Sequence, residues 1–246
     1  MSVTQKATGD VQIIRSEDRH HENIGWLDTR WHFSFAEYHD PANESWGALR
    51  VFNDDVIQPG QGFGMHPHRD MEIITIVLDG ALEHQDSLGN RGVIRPGEVQ
   101  VMSAGKGIVH SEYNHSKDAP LHLLQLWIFP RKKNLTPRWE QRVFPKAQRE
   151  GRLLPVVSGG EIPGTLTIDQ DAAIYLSRLS AGLNVALKSK PGRKGYLFVI
   201  EGAVTLGTTS ANSALSMGDQ ARLDGATHIE VQANKDAEFI FLDLPK

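Results

Sequence analysis

Short apolar runs broken by turn residues set the pattern of this chain. The segments WGALRVFNDDVI (46–57), EIITIVLDGALEHQD (72–86), GVIRPGEVQVMSAG (92–105) and LHLLQLWIFP (121–130) are of strand length and rich in Val, Ile, Leu and aromatic residues. Turn residues bound them, such as SLGN at 87–90. Many short strands spaced by Gly, Pro and Asn turns predict an all-β sandwich or barrel rather than helices. A second set follows the layout of the first. GYLFVIEGAVTLG (195–207) resembles IITIVLDGALEHQ (73–85), LSMGDQARL (215–223) resembles IRPGEVQVM (94–102), and Gly202 stands 122 residues after Gly80. The pattern predicts an internal repeat, with the polar stretch from Pro130 to about Gln148 between the copies.

At 246 residues, with 23 glycines and 12 prolines spread throughout, the chain has room for two modest domains or one large β domain. No apolar run approaches the roughly 20 residues needed to cross a bilayer, and MSVTQKATGDVQ has no signal-peptide core, so a soluble, cytoplasmic protein is expected. The chain has no cysteine, which excludes disulfides, a thiolate nucleophile and a zinc–thiolate site; a metal would sit on His and carboxylate. Charge is uneven: residues 1–130 carry 10 Lys and Arg against 18 Asp and Glu, whereas 131–246 carry 16 against 12. An acidic first half with scattered basic residues in the second gives no surface for phosphate backbones, so direct nucleic-acid binding is not expected. Ten of the eleven histidines precede residue 123, which places any imidazole chemistry in the first half.

The candidate chemistry lies in two short pairs. In extended chain, alternation puts His66 and His68 of GMHPH on one face with Pro67 turned away, and it does the same for His110 and Glu112 of GIVHSEYN. An isolated H-x-H is more often two surface histidines; two such pairs on facing strands give three imidazoles and a carboxylate. That donor set suits one divalent transition metal, Fe(II), Mn(II), Ni(II), Co(II), Cu(II) or Zn(II), without choosing among them, and leaves coordination positions open. The 122-residue offset carries His66 onto Lys188, His68 onto Lys190 and Glu72 onto Lys194, so the second copy is expected to keep the scaffold and lack the ligands.

These residues resemble the cupin superfamily and, within it, the pirin family. Gly60, His66, His68 and Glu72 fit the first cupin motif, G-x5-H-x-H-x3,4-E-x6-G, with its last glycine one place late at Gly80; Gly107, His110 and Asn114 fit the end of the second. HPHRDME, EHQDSLGN, GVIRPGEVQ, MSAGKGIVHSEYN and LLQLWI follow pirin wording in order. HRDME departs from the HRGFE of animal pirins and looks like the bacterial pirin-like quercetinases. The resemblance implies a bicupin of two tandem double-stranded β-helix (jelly-roll) barrels: an N-terminal metal-binding domain at 1–130, a linker at 131–147 and a degenerate C-terminal domain without metal ligands at 148–246. It implies His66, His68, His110 and Glu112 as metal ligands, with Fe(II) favoured and Ni, Co, Mn, Cu or Zn possible, and leaves Glu72 outside the set. It further implies cleavage of flavonols such as quercetin by O2 with release of carbon monoxide, Glu112 serving as base, in a chain expected to be a monomer. The alternative from a different class is a non-catalytic, iron-containing pirin acting as a redox-sensitive partner of a regulatory protein.

Other residues read more plainly. Gln125 and Trp127 share a strand face; Gln125 is expected near the metal and Trp127 in the core. His84 and Asp86 are expected to satisfy backbone groups of the adjacent turn. RHHENIGW (19–26), His115 and His122 read as solvated loop, and GTTSANSALSMG (207–218) as a hairpin without chemistry. No phosphate-binding loop, nucleophile elbow or dinucleotide fingerprint is present.

Overall fold

Period-two alternation translates directly into strands. In Leu27–Trp31 the side chains of Leu27, Thr29 and Trp31 are buried while Asp28 and Arg30 between them are half-exposed, as expected of a strand with one face on a core. The computed structural model describes residues 10–207, 212–226 and 228–246. The start of MSVTQKATGDVQ and the middle of GTTSANSALSMG lie outside the described residues.

Strands run from β1 (Asp10–Ile14) through β2 (His20–Asn23), β3 (Leu27–Trp31), β4 (Leu49–Ile57), β5 (Gly62–His68), β6 (Glu72–Asp79), β7 (Leu82–Asp86), β8 (Arg91–Ile94), β9 (Glu98–Ser103), β10 (Ile108–Asn114), β11 (Leu121–Ile128) and β12 (Arg138–Val143). The remainder are β13 (Leu153–Ser158), β14 (Leu166–Thr167), β15 (Ala173–Leu179), β16 (Asn184–Lys188), β17 (Lys194–Glu201), β18 (Ala203–Gly207), β19 (Asn212–Ser216), β20 (Gln220–Asp224), β21 (His228–Ala233) and β22 (Ala237–Leu244). Among the described residues there is no α-helix, and no helix long and apolar enough to cross a membrane.

The chain divides into two units. One comprises Arg19–Pro145 and Ser158–Asp171 and holds the two histidine-bearing pairs. Its larger sheet has the order β12-β9-β6-β11-β4-β3-β2 and its smaller one β5-β10-β7-β8. The other comprises the chain up to Asp18, Lys146–Val157 and Ala172–Lys246. It repeats the arrangement, with β1-β20-β17-β22-β15-β13 in its larger sheet and β16-β21-β18-β19 in its smaller. Position by position, β17 corresponds to β6, β22 to β11 and β21 to β10. Within the polar stretch between the copies, Arg138–Val143 is β12, paired with β9.

The expected closed barrels are not what forms. The fold is all-β, but among the described residues it consists of four separate sheets, each with two edges, and no ladder there joins the paired sheets of a unit into a cylinder. Closure needs hydrogen bonding that is continuous around the circumference. Here Pro59-Gly60 and Pro96-Gly97 lie in turns between strands of opposite sheets, so the ladder ends at the corners and each unit is a jelly-roll-like pair of sheets. RHHENIGW is likewise not a solvated loop: His20–Asn23 forms edge strand β2, with His20 stacked on Trp31 and Tyr38. His122 lies within β11 and bonds Asp54 at 2.7 Å.

Candidate metal centre

The inner faces of the first unit's sheets place polar residues between two apolar clusters. Leu27, Ile57, Val77, Leu82, Ile94, Leu121 and Leu123 form one cluster, and Ile73, Met102, Ala104 and Ile108 the other. On the larger sheet, Asn53 of β4 faces Gln125 of β11, Gln125 faces Thr75 of β6, and Thr75 faces Gln100 of β9. This polar row crosses four strands at one level. On the smaller sheet, alternation puts His110 and Glu112 of β10 inward, directly opposite Asp86 and His84 of β7. Strand β5 pairs on the other side, His66 against His110, with a register shift before Glu112; bulges of this kind re-aim side chains beside functional sites.

The structure brings His66, His68 and His110 together, their candidate donor atoms lying within 4.8 Å of one another. His110 and Glu112 form a second group of the same spacing with His84. The tautomers follow from the partners. The Nδ1–H of His66 donates to the Gly64 carbonyl at 2.7 Å, which leaves Nε2 as a lone-pair donor. His110 Nδ1 lies 3.5 Å from His84 Nδ1, and His84 Nε2 lies 3.4 Å from Asp86 Oδ2. A chain of donation from His110 through His84 to Asp86 fits these contacts. His110 Nε2 is then a buried acceptor with no hydrogen-bond partner among the described residues, which is costly unless a cation fills the place. Burial, reinforced by neighbouring imidazoles, pushes His68 and His110 down to about 3; both are therefore neutral, as ligation requires.

Glu112 is buried yet fully held. Gln100 Nε2 donates to its Oε1 at 2.8 Å and Gln125 Nε2 to its Oε2 at 2.7 Å. Neither amide is free to flip, because Trp139 Nε1–H donates to Gln100 Oε1 at 2.7 Å and Thr75 Oγ donates to Gln125 Oε1 at 2.8 Å. Each carboxylate oxygen keeps lone-pair capacity beyond its amide donor. Neutral nitrogens, a clamped carboxylate and an orphaned imidazole nitrogen suit a divalent ion, and the His/Glu cluster is a metal-binding site.

Sequence reasoning found both pairs and placed Gln125 correctly beside them. Trp127, expected in the core, lines a cavity next to the cluster and meets His68 edge-on. Asp86 does bind the turn, accepting from the Leu88 and Asn90 amides, but His84 turns inward, stacked on Trp139. Glu72 is buried and accepts from Ser103. Thr75, Gln100 and Asp55 were missed: Thr75 and Gln100 are lone polar residues within apolar runs, and Asp55 follows Asn53 and Asp54 in a polar triplet, with no metal-ligand spacing in sequence to flag any of them.

In the second unit the same level is apolar. The row Asn53, Gln125, Thr75, Gln100 corresponds by register to Tyr175, Phe241, Leu197, Ala221, all within or packed on one continuous core. Lys188 and Lys190 are exposed, and Lys194 pairs with Asp224 at 3.1 Å.

The cavity has a volume of about 170 Å³ and is walled by Leu27, Trp31, Phe35, Phe63, Ile73 and Trp127, with Asp55 among its polar residues. Burial, aided by the negative charges of Asp54 and Glu112 and opposed by a Thr29 hydrogen bond, pushes the Asp55 carboxyl up to about 7. Between the unfolded value of 3.8 and about 7 the folded chain keeps a proton that the unfolded chain has lost, so stability falls as pH rises across that window. Asp55→Asn removes this dependence. In urea titrations of metal-free protein, the variant should gain on the order of 3 kcal/mol relative to wild type between pH 4 and pH 8; parallel pH profiles would refute the shift.

Residues 8–128 match the family described as Pirin, and residues 155–244 the Quercetinase C-terminal cupin domain. The chain is 43% identical over 238 residues to the quercetin 2,3-dioxygenase of Escherichia coli (strain K12), covering 96% of this chain and 99% of that protein. It is 43% identical over 220 residues to the pirin-like protein of Caulobacter vibrioides, covering 89% and 93%. The bacterial pirin YhhW of Escherichia coli, solved in complex with nickel(II), superposes with a TM-score of 0.89 at 41% identity, covering 96% of this chain and 99% of that one.

Proposed function

This chain belongs to the pirin family, and from that premise we propose that it is a metal-dependent dioxygenase of the quercetin 2,3-dioxygenase kind, cleaving flavonols with O2. The observation that carries the reading is the convergence of His66, His68 and His110, with Glu112 beside His110, on the lining of a cavity that also has aromatic and aliphatic walls. In this reading the metal ligands are His66, His68, His110 and Glu112, and the ion is Fe(II) by preference. When bound, it supplies Lewis-acid stabilisation to the oxyanion of the substrate's 3-hydroxyl.

The chain's own groups perform the remainder. Trp31, Phe35, Phe63 and Trp127 offer flat apolar surface to a planar aromatic substrate and keep water from the reacting end. Glu112 takes the proton of the 3-hydroxyl, which leaves the electron-rich flavonolate that reacts with dioxygen. Gln100 and Gln125 keep the carboxylate fixed while its protonation changes, since their amide donors are locked from behind by Trp139 and Thr75. His84 and Asp86 hold the His110 ring so that Nε2 faces the donor cluster.

The test is incubation of metal-loaded protein with quercetin under air. Loss of flavonol absorbance with release of carbon monoxide is expected; neither signal from protein carrying a full complement of metal would overturn the reading. The clamp on Glu112 has its own consequence. Gln125→Leu should weaken metal affinity by about 10- to 100-fold, measured by chelator competition, while leaving the fold intact; unchanged affinity would show that the amide does not position the carboxylate.

A further inference from the structure

One carboxyl on the cavity wall has no part in the mechanism above. Asp55 lies near the end of β4 on the same inward face as Asn53, is buried, and lines the cavity among Leu27, Trp31, Phe35 and Ile73. Its one hydrogen-bond partner among the described residues is the Thr29 hydroxyl, which donates to Oδ1. The two nearby basic groups are directed to the neighbouring carboxylate instead: Arg19 bonds Asp54 at 3.0 Å and His122 bonds it at 2.7 Å. The second oxygen of Asp55 is thus a strong acceptor without a donor among the described residues, on the wall of the cavity. Its pKa of about 7 reflects that setting. A buried acceptor of this kind is stabilised by a ligand that brings a donor to it. Among flat aromatic walls, a phenolic O–H fits that place.

We propose that Asp55 is a specificity-determining residue that accepts a hydrogen bond from a ring hydroxyl of the bound flavonol, distinct from the 3-hydroxyl that Glu112 deprotonates. The proposal rests on the flavonol reading of the site and adds to it which part of the substrate is recognised. Loss of the 3-hydroxyl proton is common to every flavonol, so it cannot tell one from another. A hydrogen bond to a ring hydroxyl can, because an analogue lacking that group leaves the carboxylate unpaired on binding.

The experiment compares quercetin with 3-hydroxyflavone, which keeps the 3-hydroxyl and has no hydroxyl on either benzene ring. Binding to metal-loaded wild type, Asp55→Asn and Asp55→Leu is followed by calorimetry at pH 8, and turnover is measured on the same samples. Wild type should bind quercetin more tightly than 3-hydroxyflavone. Asp55→Leu should lose about tenfold in quercetin affinity with 3-hydroxyflavone affinity little changed, and Asp55→Asn, which keeps an acceptor oxygen without the charge, should fall between. The same quercetin-to-3-hydroxyflavone ratio in all three proteins overturns the proposal, as does a wild type that binds neither compound. Discrimination that depends on Asp55 without release of carbon monoxide would leave the proposal standing and sink the dioxygenase reading. Turnover with unaltered discrimination would do the reverse.

Discussion

Replacing His110 by alanine is expected to empty the metal site and lower flavonol cleavage by at least about a thousandfold, equivalent to more than about 4 kcal/mol of lost transition-state stabilisation. Three features make His110 the most sensitive position. Its ring lies 4.4 Å from that of His66 and 4.9 Å from that of His68, centroid to centroid, so it adjoins both of the other histidines. It also belongs to both donor groups, the one with His66 and His68 and the one with His84 and Glu112. Finally, its Nε2 is a buried nitrogen without a hydrogen-bond partner among the described residues. Truncation removes a donor and the anchor of the His84–Asp86 chain together. Metal content by elemental analysis and carbon monoxide release are the two readouts. His115→Ala is the control, since His115 is exposed and its ring bonds Glu83 at 2.8 Å, away from the cluster; it should leave both readouts unchanged. A His110→Ala protein with full metal and full activity would remove His110 from the site.

The sequence carried some of this and not the rest, for reasons that differ by residue. His66 with His68, and His110 with Glu112, are legible because alternation alone decides that residues two apart share a face. The strands are legible for the same reason. What alternation does not encode is how sheets end. Barrel closure and an open pair of sheets present the same inward and outward pattern to a reader of the chain, and the difference lies in corner hydrogen bonds that no side chain announces. The clamp on Glu112 is invisible on other grounds. Thr75, Gln100 and Gln125 come from three strands and are 25 to 50 residues apart, so their meeting is a product of register across β6, β9 and β11. His84 was misread because its neighbour Asp86 does serve the local turn, and only the pairing of β7 with β10 sets the imidazole opposite Glu112. In the second copy the lysines drew attention, yet they lie outside the core. The residues that replace the polar row are Tyr175, Phe241, Leu197 and Ala221, and recognising them requires the strand register.

The dependence of the site on strand spacing gives the second large effect, at a residue that carries no donor. Gly62 begins β5 and pairs with Tyr113 of β10. A Cβ there would stand 2.2 Å from the Glu112 carbonyl oxygen and 2.5 Å from the Tyr113 Cα. Both atoms are backbone, so no side-chain rotation relieves the clash; β5 has to move away from β10. That movement acts on the metal site directly, because His66 and His68 ride on β5 while His110 and Glu112 ride on β10. Gly62→Ala is therefore expected to lower stability by upward of about 4 kcal/mol, the range reserved for severe backbone and packing conflicts, and to reduce metal affinity by at least tenfold. Gly64→Ala on the same strand is the matched control. Its Cβ would meet only the Tyr113 hydroxyl at 3.6 Å, an ordinary contact, so it should approach wild type in both urea midpoint and chelator competition. If Gly62→Ala unfolded and bound metal like Gly64→Ala, the close approach of β5 to β10 would not be what holds the imidazoles and the carboxylate at a common distance.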